Sequence, residues 1–249
     1  MKIVVLVKQT FDTEAKIVIG GDGKISDQGV SLIINPYDEV AVEEALRIKE
    51  KLGGEVIVVS AGSDKVTEAI RQALAMGADK GVLVNMDGEA DEYARAVILA
   101  KAVQGLGADL ILCGHVAADD GSSQVPTRVA EILNIPHVNV VRKLELNGNV
   151  ATCTREVDGG TEIIDVNLPA LITCQVGMNE PRYPSMKGIM QAKKKPIDKV
   201  AGEAVPSKAK VVTYFLPPTK AAGIVIEGDP AETAAKLAEW LKKEAKVVG

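Results

Sequence analysis

The chain has 249 residues, 47% hydrophobic and 25% charged, with a formal net charge of −5. This is globular composition, and the length suits one large domain or one domain with appendages. The acidic balance gives no general pull toward nucleic acid or an anionic membrane, so neither is expected as a partner.

Ile3 to Val7 opens the chain as a continuous apolar run, the pattern of a strand covered on both faces. Lys16 to Ser26 reads as a short hairpin turning at Gly20-Gly21-Asp22-Gly23. Asn35-Pro36 then starts a helix, with Asn as the cap and Pro at the first helical position. Ala41, Ala45, Ile48 and Leu52 mark its buried face, and Gly53-Gly54 ends it. A strand over Glu55 to Ser60 follows. Ser63 caps a helix whose inward residues are Val66, Ile70, Ala73 and Leu74, stopped at Gly77. Gly81 to Asn85 is a strand, Asp91 to Leu106 a helix, and Asp109 to Cys113 another strand. Gly114 to Ser123 is a loop that leads into a helix over Gln124 to Leu133, then a strand around Val138 to Val141. Aromatics make up only 3%, so the core is built from Val, Ile, Leu and Ala. This rhythm calls for an α/β fold with a doubly wound, mostly parallel sheet.

The pattern changes near Lys143. Leu144 to Leu146, Asn149 to Glu156 and Thr161 to Asn167 are short alternating segments. Asn147-Gly148-Asn149 and Asp158-Gly159-Gly160 join them as turns, which predicts an antiparallel extension. A strand over Ala170 to Gln175 follows. From Gly177 to about Gly228 regular structure thins out among six prolines. Asp229-Pro230-Ala231-Glu232 starts a final helix with Ala234, Leu237, Leu241 and Ala245 on its apolar face. The expected division is residues 1–190 as an α/β domain and 191–249 as a partner-wrapping arm and helix. Packing of that arm on its own sheet is the alternative.

Cys113, Cys153 and Cys174 form no CxxC pair, so neither a disulfide framework nor a zinc site is expected, and a reducing compartment fits. The short N-terminal apolar run reads as a strand rather than a signal peptide. No stretch approaches the roughly twenty apolar residues of a membrane span, so no membrane insertion is expected.

The most informative segment is Gly114-His115-Val116-Ala117-Ala118-Asp119-Asp120-Gly121-Ser122-Ser123-Gln124-Val125-Pro126-Thr127-Arg128. It leaves a strand and enters a helix, where ligands of open α/β sheets sit and where free N–H groups favour a phosphate. Asp119 and Asp120 cut against a phosphate and are expected to point toward a ribose, backbone donors or a partner chain. Asn35-Pro36-Tyr37-Asp38 and Ala61-Gly62-Ser63 lie at the same sheet edge. No G-x-G-x-x-G or G-x-x-x-x-G-K-[ST] motif occurs, which leaves the usual Rossmann and P-loop sites unsupported. His115 has no nucleophile or orienting acid by motif, and no catalytic set or metal-ligand set stands out. No stand-alone enzyme is expected from these residues.

Four segments then match a family in order and spacing. They are Val7-Lys8-Gln9, Asn35 to Ala45, Ala73-Leu74-Ala75-Met76-Gly77-Ala78-Asp79, and Asn179-Glu180-Pro181-Arg182-Tyr183 with Ile189 to Lys195. Over its whole length the chain resembles the electron transfer flavoprotein β subunit. The resemblance implies an adenine-nucleotide α-hydrolase-like fold and a heterodimer with an α subunit that holds most of the FAD. It implies AMP bound structurally by Leu6, Asn35, Pro36, Tyr37, Asp38 and Ala61. From the long loop it adds Gly114, His115, Val116, Ala117, Asp119, Gly121, Ser122, Ser123, Gln124 and Val125. It further implies that Asn179, Glu180, Pro181, Arg182, Tyr183 and Met186 dock acyl-CoA dehydrogenases in fatty acid β-oxidation. Electrons then pass to a quinone oxidoreductase or another acceptor, in a cytoplasmic setting. Met186 stands where the family usually carries an exposed leucine; packing on its own loop is the plainer alternative. Arg182 to Lys199 holds six basic residues against Asp198, a net of +5, so the remainder of the chain carries −10. Such polarity can steer an acidic partner, or can be a solvated lysine run.

Two departures stand out. An aromatic that some members carry near the flavin corresponds to Thr13, with Phe11 nearby and Tyr37 at the other near-flavin position. Some relatives bind a second FAD in place of AMP and bifurcate electron pairs, and the loop from Asp119 to Gln124 is compatible with either. An ATP pyrophosphatase is a weaker alternative: Ser60 to Lys65 is similar in part to its Ser-Gly-Gly-x-Asp-Ser loop, but Ala61 and Lys65 break the motif. A nucleotide-sensing module without redox work is the third.

Overall fold

The computed structural model describes residues 1–86, 88–220 and 222–248. It divides into two compact units, 1–213 and 214–249.

In the first unit, β1 (Lys2–Leu6) leads into two small pairs. These are β2 (Gln9–Phe11) with β5 (Leu32–Ile34), and β3 (Val18–Ile19) with β4 (Ile25–Ser26). Then come α1 (Pro36–Leu52), β6 (Glu55–Gly62), a 3-10 turn at Asp64–Val66, α2 (Thr67–Met76) and β7 (Lys80–Asn85). They are followed by α3 (Glu92–Gln104), β8 (Leu110–Gly114), α4 (Val125–Leu133) and β9 (His137–Asn147). The unit continues through β10 (Val150–Val157), β11 (Gly160–Asn167), β12 (Ala170–Cys174), α5 (Met186–Ala192) and β13 (Ile197–Ala201).

The main sheet has nine strands in the order β11-β10-β9-β12-β8-β1-β6-β7-β13. The seven from β9 to β13 in that order pair in parallel, and β10 and β11 extend it antiparallel. Strand alternation sorts the core into two layers. Ile3, Val5, Val56 and Val58 face the side of α1 and α2, whereas Val4, Leu6, Ile57 and Val59 face that of α3 and α4. Both faces are covered, and this is why these strands read as unbroken apolar runs. Each such buried side chain contributes about 1.5–3 kcal/mol.

The structure corrects several local readings. The strand near Val138 and the segment Leu144–Leu146 are one strand, β9, bent by register shifts against both neighbours. Within it Val140 takes φ 62, strained for a β-branched residue, and its N–H donates to Thr173 Oγ1 at 2.8 Å. Leu52 is 49% exposed, so it is not part of the buried face of α1. Ser63 makes no side-chain cap bond. Residues beyond Gly177 are not uniformly irregular, since α5 forms and β13 pairs with β7 as the sheet's outer strand. Residues 191–213 thus lie within the first unit.

The second unit contains α6 (Pro230–Lys243), in which no residue is buried. Leu237 and Trp240 are among its exposed apolar side chains. Residues 221 and 249 lie outside the described residues. No helix among the described residues is long and apolar enough to cross a membrane.

Candidate functional site

Strand order reverses between β1 and β8. β1 is followed in sequence by neighbours toward β7 and β13, while β8 begins the half that runs to β9. At such a switch point the loops beyond the strand ends diverge and leave a crevice. A cleft with about 660 Å³ of unfilled space, partly open to solvent, lies there. Val7 and Lys8 line it from the segment just after β1, Ala61 from β6 and Asp38 from α1. Gly114, His115, Val116, Ala117, Ser122, Ser123, Gln124 and Val125 line it from the loop after β8.

Asp38 ties the crevice together. Its Oδ1 accepts the Gly114 N–H at 2.8 Å and its Oδ2 accepts the Lys8 N–H at 2.7 Å. One carboxyl therefore clamps the ends of two adjacent strands to the first turn of α1. Burial outweighs these two donors and raises its pKa from 3.8 to about 7. Asn35, 2% exposed, does not cap α1 with its side chain as its position suggested. Its Nδ2 donates to the Val116 carbonyl at 2.9 Å, and its Oδ1 accepts the Ala118 N–H at 3.1 Å. The asparagine is thus spent on shaping the long loop. Tyr37 stands edge-on to His115, with ring centroids 5.4 Å apart, and desolvation lowers the His115 pKa.

The two loop carboxylates turn to a cation. Lys8 Nζ lies 2.6 Å from Asp119 Oδ1 and 2.7 Å from Asp120 Oδ2. Asp120 Oδ1 also accepts the Ser122 N–H at 2.9 Å, and these contacts together hold its pKa down against desolvation. Gly121 at φ 63 and Ser123 at φ 53 bend the chain left-handed on either side of Ser122. After that bend the N–H groups of Ser123, Gln124 and Val125 bond no acceptor among the described residues. Three free donors thus stand at the start of α4 beside the cleft, a placement in which backbone N–H groups can donate to an anion.

Of the nucleotide-site residues expected from sequence, ten line the cleft, whereas Leu6, Asn35, Pro36, Tyr37, Asp119 and Gly121 do not. Leu6 is buried in the core on the α3 side. Sequence reasoning missed Arg95 and Leu99, which α3 contributes. It also left Lys8 outside the site, although Lys8 sits in the matched Val7-Lys8-Gln9 segment.

The second candidate region lies on the outer side of α1 and α2. Arg182 pairs with Glu43 at 2.8 Å and with Glu50 at 2.5 Å, and Arg47 also reaches Glu43 at 2.7 Å. These cations keep the buried Glu43 carboxyl below its ordinary range despite desolvation. Asn179 Nδ2 donates to the Val40 carbonyl at 3.1 Å and to Glu44 at 3.0 Å. Asn179 and Arg182 thus fasten this segment to α1. Beyond them Tyr183 is 98% and Met186 77% exposed. The basic run is partly engaged: Lys195 Nζ donates to the Leu74 carbonyl at 3.0 Å and the Ala78 carbonyl at 2.5 Å, at the end of α2. Arg71 bonds the carbonyls of Ala192 and Lys195.

Among the described residues no group of His, Cys, Asp or Glu is arranged to hold a metal. Cys113, Cys153 and Cys174 are free and buried, and desolvation raises all three thiol pKa values.

Residues 22–205 match the family described as Electron transfer flavoprotein domain. The chain is 63% identical over 248 residues to the electron transfer flavoprotein subunit beta of Syntrophomonas wolfei subsp. wolfei, covering 99% of this chain and 98% of that protein. Identity to the subunit beta of Bacillus subtilis is 47% over 258 residues, covering both chains fully. To the human subunit beta it is 38% over 250 residues, covering 96% of this chain and 97% of that one.

Proposed function

Because the chain belongs to the electron transfer flavoprotein family, as a β subunit, we propose that its switch-point cleft binds AMP as a structural ligand. In this reading it pairs with an α subunit that carries most of the FAD, and the flavin of that partner does the electron transfer. The nucleotide fastens the loops after β1, β6 and β8 so that they present a fixed surface to the partner. The observation that carries the reading is the run of free N–H groups at Ser123, Gln124 and Val125 beside the cleft. Apolar neighbours such as Val7, Ala61 and Leu99 suit a base, and the loop amides suit a phosphate.

Co-expression with the cognate α subunit is expected to give a yellow heterodimer with one FAD and one AMP, read by chromatography after denaturing release. A complex that carries FAD but no adenylate on this chain would defeat the reading. One observation favours a second possibility. A neighbouring cleft shares Lys8, Ala61 and Arg95 with the first, so the two are continuous and a dinucleotide could extend from one into the other. Two FAD and no AMP would assign the protein to the electron-bifurcating class.

Tyr183 and Met186 stand on a segment whose base is fixed by Asn179 and Arg182. A flexible apolar side chain on a braced loop suits an irregular pocket of a partner. The proposed donors are acyl-CoA dehydrogenases of fatty acid β-oxidation, and the acceptor a quinone oxidoreductase or an equivalent, in the cytoplasm. Met186→Ala should slow electron transfer from the dehydrogenase by about ten-fold, as for loss of one central apolar anchor, with FAD and AMP content unchanged. Parallel loss of nucleotide would assign Met186 to the fold instead of to docking.

A further inference from the structure

The charges that line the switch-point cleft do not balance in favour of an anion. Lys8 faces two carboxylates, Asp119 and Asp120, at 2.6 and 2.7 Å, so its charge is more than cancelled. Asp38 joins Asp120 as a second carboxyl in the lining. His115 is desolvated, which disfavours its cationic form. Backbone amides alone would have to hold a phosphate against this acidic wall.

One lining cation is uncommitted. Arg95 forms no ion pair among the described residues. Its Nε donates to the Ala90 carbonyl at 3.0 Å, which fixes one edge of the guanidinium and leaves both terminal nitrogens for another acceptor. α3 and α4 pack against each other, and Arg95 near the start of α3 and Pro126 at the start of α4 line the same cleft. Arg95 therefore shares the cleft with Ser123, Gln124 and Val125.

We infer that Arg95 is the residue that makes this cleft select a phosphorylated ligand over a nucleoside. Its guanidinium, together with the free amides at the start of α4, cradles the phosphate of the nucleotide, an assignment that rests on the AMP reading above. A planar fork held along one edge is pre-organised for phosphate oxygens, whereas a lysine would offer a mobile point charge.

The test uses the αβ complex, stripped of nucleotide by mild chaotrope and titrated with AMP and with adenosine. Arg95→Gln should weaken AMP by about 10- to 100-fold, the range for one charge-assisted contact, and leave adenosine binding unchanged. Arg95→Lys should recover part of the AMP affinity. Salt should weaken AMP binding less steeply in Arg95→Gln than in the unsubstituted complex. Equal losses for AMP and adenosine would make Arg95 a structural residue, and unchanged AMP affinity would remove it from the site; either overturns the inference and leaves the AMP reading standing. An unsubstituted complex that takes up neither ligand would instead overturn the AMP reading itself.

Discussion

Gly114→Ala is expected to empty the cleft of nucleotide and lower the melting temperature of the complex by roughly 5–20 °C. An alanine Cβ at this position would lie 2.5 Å from Tyr37 Cβ, 2.6 Å from Asp38 Oδ1 and 2.7 Å from the Tyr37 carbonyl carbon. None of these is the free end of a flexible side chain. Two belong to the first turn of a 17-residue helix packed on the sheet, and the third is the carboxyl that clamps β8. The clash is relieved only if β8 and α1 move apart, which breaks the Gly114 N–H bond to Asp38 and displaces the loop that begins there. Overpacking of this kind costs about 1–3 kcal/mol, and the severed buried bond about 1–3 kcal/mol more. For a chain of this size each kcal/mol moves the midpoint by about 2–4 °C. Calorimetry and adenylate content read the two effects. A variant that keeps both its midpoint and its AMP would show that close approach of α1 and β8 is not what forms the site.

Asp38→Asn should be destabilising by about 2–4 kcal/mol, because an amide presents one acceptor and one donor where two N–H groups converge. Its more telling effect concerns pH. The folded pKa of Asp38, about 7, lies above its unfolded value of 3.8, so the native state holds a proton that the unfolded chain has released. Stability from this group is fully present below the unfolded value and is lost as pH rises through the folded one. Across that window the difference amounts to about 4 kcal/mol at most. Carboxyls such as Glu43 and Asp120, whose pKa values are lowered, act in the opposite sense, so the unsubstituted protein alone would not isolate the effect. The gap between the protein and Asp38→Asn does isolate it. That gap in unfolding free energy should be wider at pH 5 than at pH 8, measured by denaturant titration at both. A gap that is constant, or that widens with pH, would mean that Asp38 is ionised in the fold throughout this range.

Much of the architecture was readable because the strands buried on both faces leave no choice of residue: Ile3 to Val7 and Asp109 to Cys113 can be little else. The hairpin turns at Gly148 and Gly159 were equally direct. What escaped has identifiable causes. β13 is a five-residue edge strand with Asp198 and Lys199 at its centre, so it lacks the apolar run that marks the interior strands. β9 looked like two strands because Arg142 and Lys143 interrupt its apolar pattern where it leaves the cover of the helices. In the site, the long loop was found by its position after a strand, but the uses of its neighbours were not. Asn before Pro reads as a helix cap; only the fold brings Val116 and Ala118 within reach of Asn35. Arg95 lies on a helix that precedes β8, and no local spacing links it to a loop more than twenty residues later.

The burial of the three thiols has a further consequence. A reduced flavin that loses its electrons to dioxygen releases peroxide, and a cysteine reacts with peroxide through its thiolate. Here access and ionisation are both suppressed at every cysteine. The accessible sulfur lies instead in thioethers at Met186 and Met190, 77% and 68% exposed. Oxidative wear on this subunit would therefore spare its sheet and fall on the segment proposed to meet the dehydrogenase, where a sulfoxide replaces an oily contact with a polar one.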